Sequence, residues 1–204
     1  MQYYINSVIK EFDKISEVRK EHLLQLANYF QEKYKAGKTP KAIVICTHNS
    51  RRSHLGQVWL AVAADYYGLP KLETYSGGTE ATAFNPRAVS ALKRTGLQIT
   101  VENTEVENPI YELRWNDNMQ PYQAFSKKYD SEPNPTEDFA AIMVCTDADE
   151  KCPLVFGADF RISLPFDDPK AYDNTVWETA KYDKRCRQIA AEIFFCLSQV
   201  KLAF

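Results

Sequence analysis

The sequence predicts an α/β protein built on a parallel sheet of about four strands with helices on both faces. Three observations carry this expectation. Apolar runs at residues 42–45 and 140–144 have the length and continuity of strands buried on both sides. Strand-like and helix-like patterns alternate after the first run, as in parallel strands joined by helical crossovers. A chain of 204 residues, 45% hydrophobic and with a formal charge of -2, is long enough for one sizeable core.

Residues 1–38 read as an N-terminal helical extension. Tyr4, Ile5, Val8, Ile9 and Phe12 suggest a short helix. Leu23, Leu26, Ala27, Phe30 and Tyr34 then recur at three- and four-residue spacings up to a stop at Gly37, with Asp13 and Ser16 as candidate caps. That apolar stripe needs a cover, either the main domain or a second copy of the chain, so an oligomer through these helices is one expectation.

The main domain, residues 39–204, opens with the strand at 42–45, a loop, and a helix over about 53–67 closed by Gly68 and Pro70. Residues 72–75 alternate as a strand running into Ser76, Gly77 and Gly78. Asn85 and Pro86 supply an N-cap and a first-turn proline, and the helix they start runs through Val89, Ala91 and Leu92 to Gly96. Residues 101–138 read as an insertion with room for a hairpin, because Tyr111, Trp115, Tyr122, Phe125 and Tyr129 are interspersed with Pro109, Pro121, Pro133 and Pro135 and follow no single period. Strand patterns resume at 140–144, ending in Cys145, and at 160–164. A final helix from about Thr175 carries Trp177, Ala180, Ile189, Ala190, Ile193, Phe194 and Leu197.

Lys and Arg are scattered along a near-neutral chain, which gives no electrostatic footprint for nucleic acid or an anionic membrane. No segment approaches the length of a bilayer span, and residues 1–6 lack the basic start and apolar stretch of a signal peptide, so a cytoplasmic protein is expected. Five cysteines, an odd number, argue against a disulfide framework. Cys186 and Cys196 lie among Ile189, Ile193 and Phe194 and read as packing residues. His22 and His54 read as surface or packing residues, and no metal is expected.

The chemistry concentrates at Cys46, Thr47, His48, Asn49, Ser50, Arg51, Arg52 and Ser53, directly after the first buried strand. A thiolate at a strand end, a loop of inward amides and a helix N-terminus together suit a tetrahedral oxyanion. A helix N-terminus and a nearby guanidinium also lower a thiol pKa. Arg52 offers a planar fork that bonds two oxygens of a dianion, Ser53 a hydroxyl for the Cys46 sulfur, and Asn49 a tolerance for left-handed backbone. A cysteine six residues before an arginine arises by chance in roughly one such chain in five. The added serine, strand and helix reduce this to a few per cent, by rough estimate.

This stretch resembles the active-site loop of the low-molecular-weight protein tyrosine phosphatases and of the thioredoxin-coupled arsenate reductases that share their fold. Tyr75-Ser76-Gly77-Gly78-Thr79-Glu80-Ala81, with Asn85-Pro86 and Ala88-Val89, is similar to the same superfamily. The resemblance covers most of residues 42–100 and 140–196. It implies that Asp168, in Phe166-Asp167-Asp168-Pro169, is the general acid. Cys145-Thr146-Asp147-Ala148-Asp149-Glu150-Lys151-Cys152-Pro153 resembles the redox segment of the reductases, and its spacing is wrong for a zinc knuckle. The tyrosine pair that follows the phosphatase Asp-Pro is replaced by Lys170-Ala171-Tyr172. What the resemblance implies is a thiol relay in which Cys46 attacks arsenate, Cys145 attacks Cys46, and Cys152 closes a disulfide that thioredoxin reduces as an external partner. No bound cofactor is implied. Two alternatives stand beside it: a phosphatase hydrolysing phosphate esters through a cysteinyl-phosphate, and a non-catalytic anion-binding module.

Three residues depart from the family pattern. His48 stands where glycine is usual, and Arg51 where cysteine is usual, with solvent as its expected destination. Gln57 stands where potassium-binding reductases carry an acid, so no potassium site is carried over.

Overall fold

The computed structural model describes residues 1–151 and 154–202. Strands β1 (Lys41–Cys46), β2 (Glu73–Gly78), β6 (Phe139–Met143) and β7 (Ala158–Ser163) form one parallel sheet in the order β2-β1-β6-β7. The two central strands are buried almost throughout, because both faces of the sheet are covered. Cys46 ends β1 opposite Gly78, and Ile45 pairs with Met143 on the other side.

Helix α3 (Arg52–Tyr66) follows β1 and packs on β1 and β2. Gly56 allows that approach, since a Cβ there would lie 2.8 Å from a Val44 methyl. Helix α6 (Glu178–Ser198) packs along α3, and the N-terminal helices α1 (Gln2–Ile9) and α2 (Glu17–Lys35) pack against α6. Ser16 caps α2, accepting from the Arg19 amide at 3.4 Å. Leu23, Leu26, Ala27 and Phe30 of α2 are fully buried by the chain itself. The oligomer expectation therefore loses the exposed stripe on which it rested. Arg19 also leaves α2 to bind Glu192 at 2.6 Å and the Pro165 carbonyl at 3.3 Å, with its guanidinium 4.7 Å from the Phe166 ring centre.

Helix α4 (Pro86–Arg94) starts at an Asn85 cap that accepts from the Arg87 amide. The following segment holds β3 (Gln98–Val101), β4 (Tyr111–Arg114) and β5 (Tyr122–Ala124), a three-stranded antiparallel sheet rather than a lone hairpin. It is fastened to the main sheet by Tyr122, whose hydroxyl donates to the Thr74 carbonyl at 2.8 Å, and by a bridge between Gly78 and Lys128. Helix α5 (Thr146–Lys151) links β6 to β7.

Two boundaries differ from expectation. Strand β2 runs on to Gly78 because its glycines admit neighbours closely; a Cβ on Gly77 would lie 2.3 Å from the Tyr129 Cα. The last helix begins at Glu178, since Pro169–Tyr172 form a 3-10 turn and Asn174 has φ of 61°, a conformation no right-handed helix carries. Trp177 is consequently left 62% exposed instead of packing inward.

Candidate active site

The loop between β1 and α3 is shaped by what holds its carbonyls. The Thr47 carbonyl accepts from the Glu80 amide at 2.9 Å and the Thr79 hydroxyl at 3.1 Å. The His48 carbonyl accepts from Thr82 Oγ1 at 3.0 Å and Ser126 Oγ at 3.3 Å, and the Ser50 carbonyl from the Asn85 amide at 2.9 Å. In a trans peptide the C=O and the next N–H point oppositely. Carbonyls held outward by residues 79–85 and 126 therefore turn the amides of His48, Asn49 and Arg51 to the inner side of the loop.

Asn49 adopts φ of 44° and is completely buried. Its Nδ2 donates to Ser53 Oγ at 2.9 Å, and its Oδ1 accepts from the Lys127 amide at 2.8 Å. With Asn49 donating to it, the Ser53 hydroxyl has its own proton for the Cys46 sulfur, 3.1 Å away. Gly78 closes the back of the loop, where a Cβ would lie 2.7 Å from both the Asn49 nitrogen and the Thr47 oxygen. Ser50 donates its hydroxyl to the Ala83 carbonyl at 2.8 Å.

Arg52 bridges to the acid segment: Nη1 donates to the Phe166 carbonyl at 2.7 Å and Nη2 to Asp168 Oδ2 at 2.8 Å. The other Asp168 oxygen caps the turn after Pro169, accepting from the Lys170 amide at 3.0 Å. Arg51 does not face solvent. It donates through Nε to the Tyr182 hydroxyl at 2.9 Å and lies 3.6 Å from Asp173, because α6 passes directly behind the loop. The His48 ring projects out beside Glu80, at 3.7 Å, and both side chains are at least half exposed. The bulk that replaces glycine is thus kept out of the anion-facing side.

His54 is buried, stacked on Phe84 at 4.0 Å and within 3.2 Å of Ser76 Oγ. Burial first, and then the positive charge of Lys127, push its imidazole down to about 3, so it packs as a neutral ring. Cys186 and Cys196 are fully buried, and burial pushes the Cys186 thiol up to about 12. Both are packing thiols on α6.

Cys145 lies one residue beyond the Val144 amide that donates to the Ile45 carbonyl at 2.9 Å. Its Sγ is 3.4 Å from Thr47 Oγ1, so it reaches the residue that follows Cys46. After it, Asp149 anchors α5: its amide donates to the Cys145 carbonyl at 3.0 Å, and its carboxylate accepts from Ser163 at 2.6 Å and from Arg161. Cys152 lies outside the described residues.

No protein-family model matches the chain. Among curated proteins it is similar to the arsenate reductase of Bacillus subtilis, 29% identical over 143 residues that cover 70% of this chain and 84% of the relative. It is also similar to that of Bacillus licheniformis, 27% identical over 148 residues covering 72% and 87%. Among solved structures, a mutant of YwlE from Bacillus subtilis superposes with a TM-score of 0.54 at 16% identity, covering 79% of this chain and 99% of that one. A low-molecular-weight phosphotyrosine phosphatase from Vibrio cholerae gives 0.53 at 11% identity, covering 78% and 95%. The chain thus shares the fold of the low-molecular-weight protein tyrosine phosphatases and is similar in sequence to arsenate reductases. The sequence reading missed two contributors to the site, Lys127 with its amide on Asn49 and Arg19 against the acid segment, and it sent Arg51 of the loop to solvent rather than to Tyr182 and Asp173. All are contacts between distant parts of the chain, which no local spacing signals.

Proposed function

We propose that this enzyme reduces arsenate by a thiol relay on the phosphatase scaffold. The observation that carries the reading is Cys145, whose sulfur sits at 3.4 Å from the hydroxyl of Thr47, at the end of the strand next to the one that bears Cys46. The similarity to arsenate reductases over most of the chain supports it.

In the proposed sequence the Cys46 thiolate attacks arsenate, an As–S bond forms, and an arsenate oxygen leaves as water after protonation. The inward amides and Arg52 hold the remaining oxygens. An incoming dianion competes with Asp168 for the Arg52 guanidinium, and Asp168, released from that partner, serves as the acid for the departing oxygen. Ser53 donates to the Cys46 sulfur and steadies it as a thiolate. Cys145 then attacks that sulfur; the S–As electron pair goes to arsenic, which leaves as arsenite, reduced by two electrons. Cys152 attacks Cys145 and expels Cys46 as a thiolate, leaving a Cys145–Cys152 disulfide for an external dithiol protein, thioredoxin, to reduce. Such a cycle needs a reducing compartment, which suits the cytoplasm.

Asp168 beside Arg52 favours a second activity, hydrolysis of a phosphate ester through a Cys46-phosphate. Cys145→Ser separates the two. It is expected to abolish arsenate-dependent NADPH consumption through thioredoxin and thioredoxin reductase while leaving aryl phosphate hydrolysis intact. Undiminished arsenate reduction by that variant overturns the relay.

A further inference from the structure

Lys127 is 6% exposed, an unusual position for a lysine. Its main chain belongs to the site: the amide donates to Asn49 Oδ1 at 2.8 Å and the carbonyl accepts from the Gly78 amide at 3.0 Å. Its ammonium lies 4.7 Å from the Phe125 ring centre, and the residue lines a cavity of about 320 Å³ with Gln57, Thr74 and Tyr122. Gln57 is 3% exposed, and its Oε1 has no hydrogen bond of ordinary geometry among the described residues. No carboxylate among those residues offsets the charge of Lys127, and burial alone moves its ammonium down to about 8. The charge is nevertheless felt at His54, in the first turn of α3 beside Arg52 and Ser53.

Holding an ammonium in a buried site without a counter-ion is costly, and an uncharged residue of similar length would fold there more easily. We propose that Lys127 is the internal counter-charge of the oxyanion loop, a positioning residue that raises its affinity for a tetrahedral dianion from behind. This rests on the oxyanion reading of the loop and on no particular reaction there.

The other titratable groups around it do not share the behaviour. Glu73, in the same cavity, is held below its usual range by Lys71 at 2.6 Å, after which come the Tyr75 hydroxyl and Lys41. Tyr75 is pushed up to about 12, Tyr122 is raised further by burial, and His54 stays neutral. The loop residues are the same in every variant, so a ratio between variants isolates Lys127.

The test is sulfate binding by calorimetry, because sulfate keeps its charge across the range. At pH 6.5 Lys127→Met is expected to bind sulfate roughly tenfold more weakly, the effect of one partly screened charge at this depth. Its melting temperature should equal or exceed that of the unmodified chain. Lys127→Arg should bind within about threefold of the unmodified chain. The Met-to-Lys affinity ratio should close towards one by pH 9.5. Equal sulfate affinity in Lys127→Met, or a loss of affinity accompanied by a lower melting temperature in both variants, overturns the proposal. Failure of the unmodified chain to bind sulfate, phosphate or arsenate overturns the oxyanion site itself and the counter-charge with it.

Discussion

The loop after β1 and the segment after β6 leave neighbouring strands of one sheet, yet they are held in opposite ways. The first is fixed from several sides: three carbonyls are taken by residues 79–85 and 126, Asn49 is bonded at both ends, and Gly78 fits directly behind. In the second, the main chain is tied to its neighbours at Val144, but the Cys145 side chain meets only a weak hydroxyl–sulfur contact, and further on the described residues are held chiefly through the Asp149 side chain. The difference follows the demands of the proposed chemistry. Donors for an oxyanion must not reorganise as charge develops, whereas a relay thiol must travel to its partner.

The comparison can be broken at its strongest point first. Cys46→Ser is expected to lower both arsenate reduction and aryl phosphate hydrolysis by more than roughly a thousandfold, as loss of a nucleophile does. An activity that survives it would belong to a different site. On the rigid side, Asn49→Ala removes two buried hydrogen bonds and forces alanine to φ near 44°, for a cost of about 2–3 kcal/mol in denaturant unfolding. Asn49→Gly should recover about 1 kcal/mol of that, because glycine carries no penalty there.

The pH response sharpens the same side. The folded His54 binds its proton only near pH 3, far below an unfolded histidine. Its contribution is present above the unfolded value of about 6.5 and is lost as pH falls below it, because the unfolded chain then binds the additional proton. Melting curves of His54→Phe should fall off less steeply than those of the unmodified chain between pH 6 and 4, by about 1–2 kcal/mol. The smallest effect belongs to the loosely held side. Asp149→Asn weakens the charge-assisted bond from Arg161 and should speed hydrogen exchange across α5 by roughly fivefold, without changing aryl phosphate hydrolysis.

Much of this was legible in the sequence because it is local. The buried run at 42–45, the turn that needs Asn49 and the helix that starts at Arg52 all lie within one short stretch, and the alternation of elements indicated a parallel sheet. Residues 101–138 were opaque for a physical reason. Strands of three and four residues are too short to establish a period, and the prolines between them interrupt any pattern. Lys127 and Arg51 escaped differently. Their side chains end up buried because elements 78 and 131 residues away close over the loop, and a lysine or an arginine read alone suggests solvent. Arg19 belongs to the same class, since its partners near Pro165 lie at the other end of the chain.

The pairing of β1 with β6 sets a ruler for sulfur chemistry. Adjacent strands run about 4.8 Å apart and a strand advances about 3.3 Å per residue, so diagonal positions across two strands have Cα atoms about 6 Å apart. Cys46 and Cys145 continue that pairing diagonally, one residue beyond Ile45 and two beyond Met143. A disulfide spans Cα separations of about 4.4–6.8 Å. Backbone hydrogen bonds laid down when the core forms thus preset the span that the proposed relay has to bridge between Cys46 and Cys145.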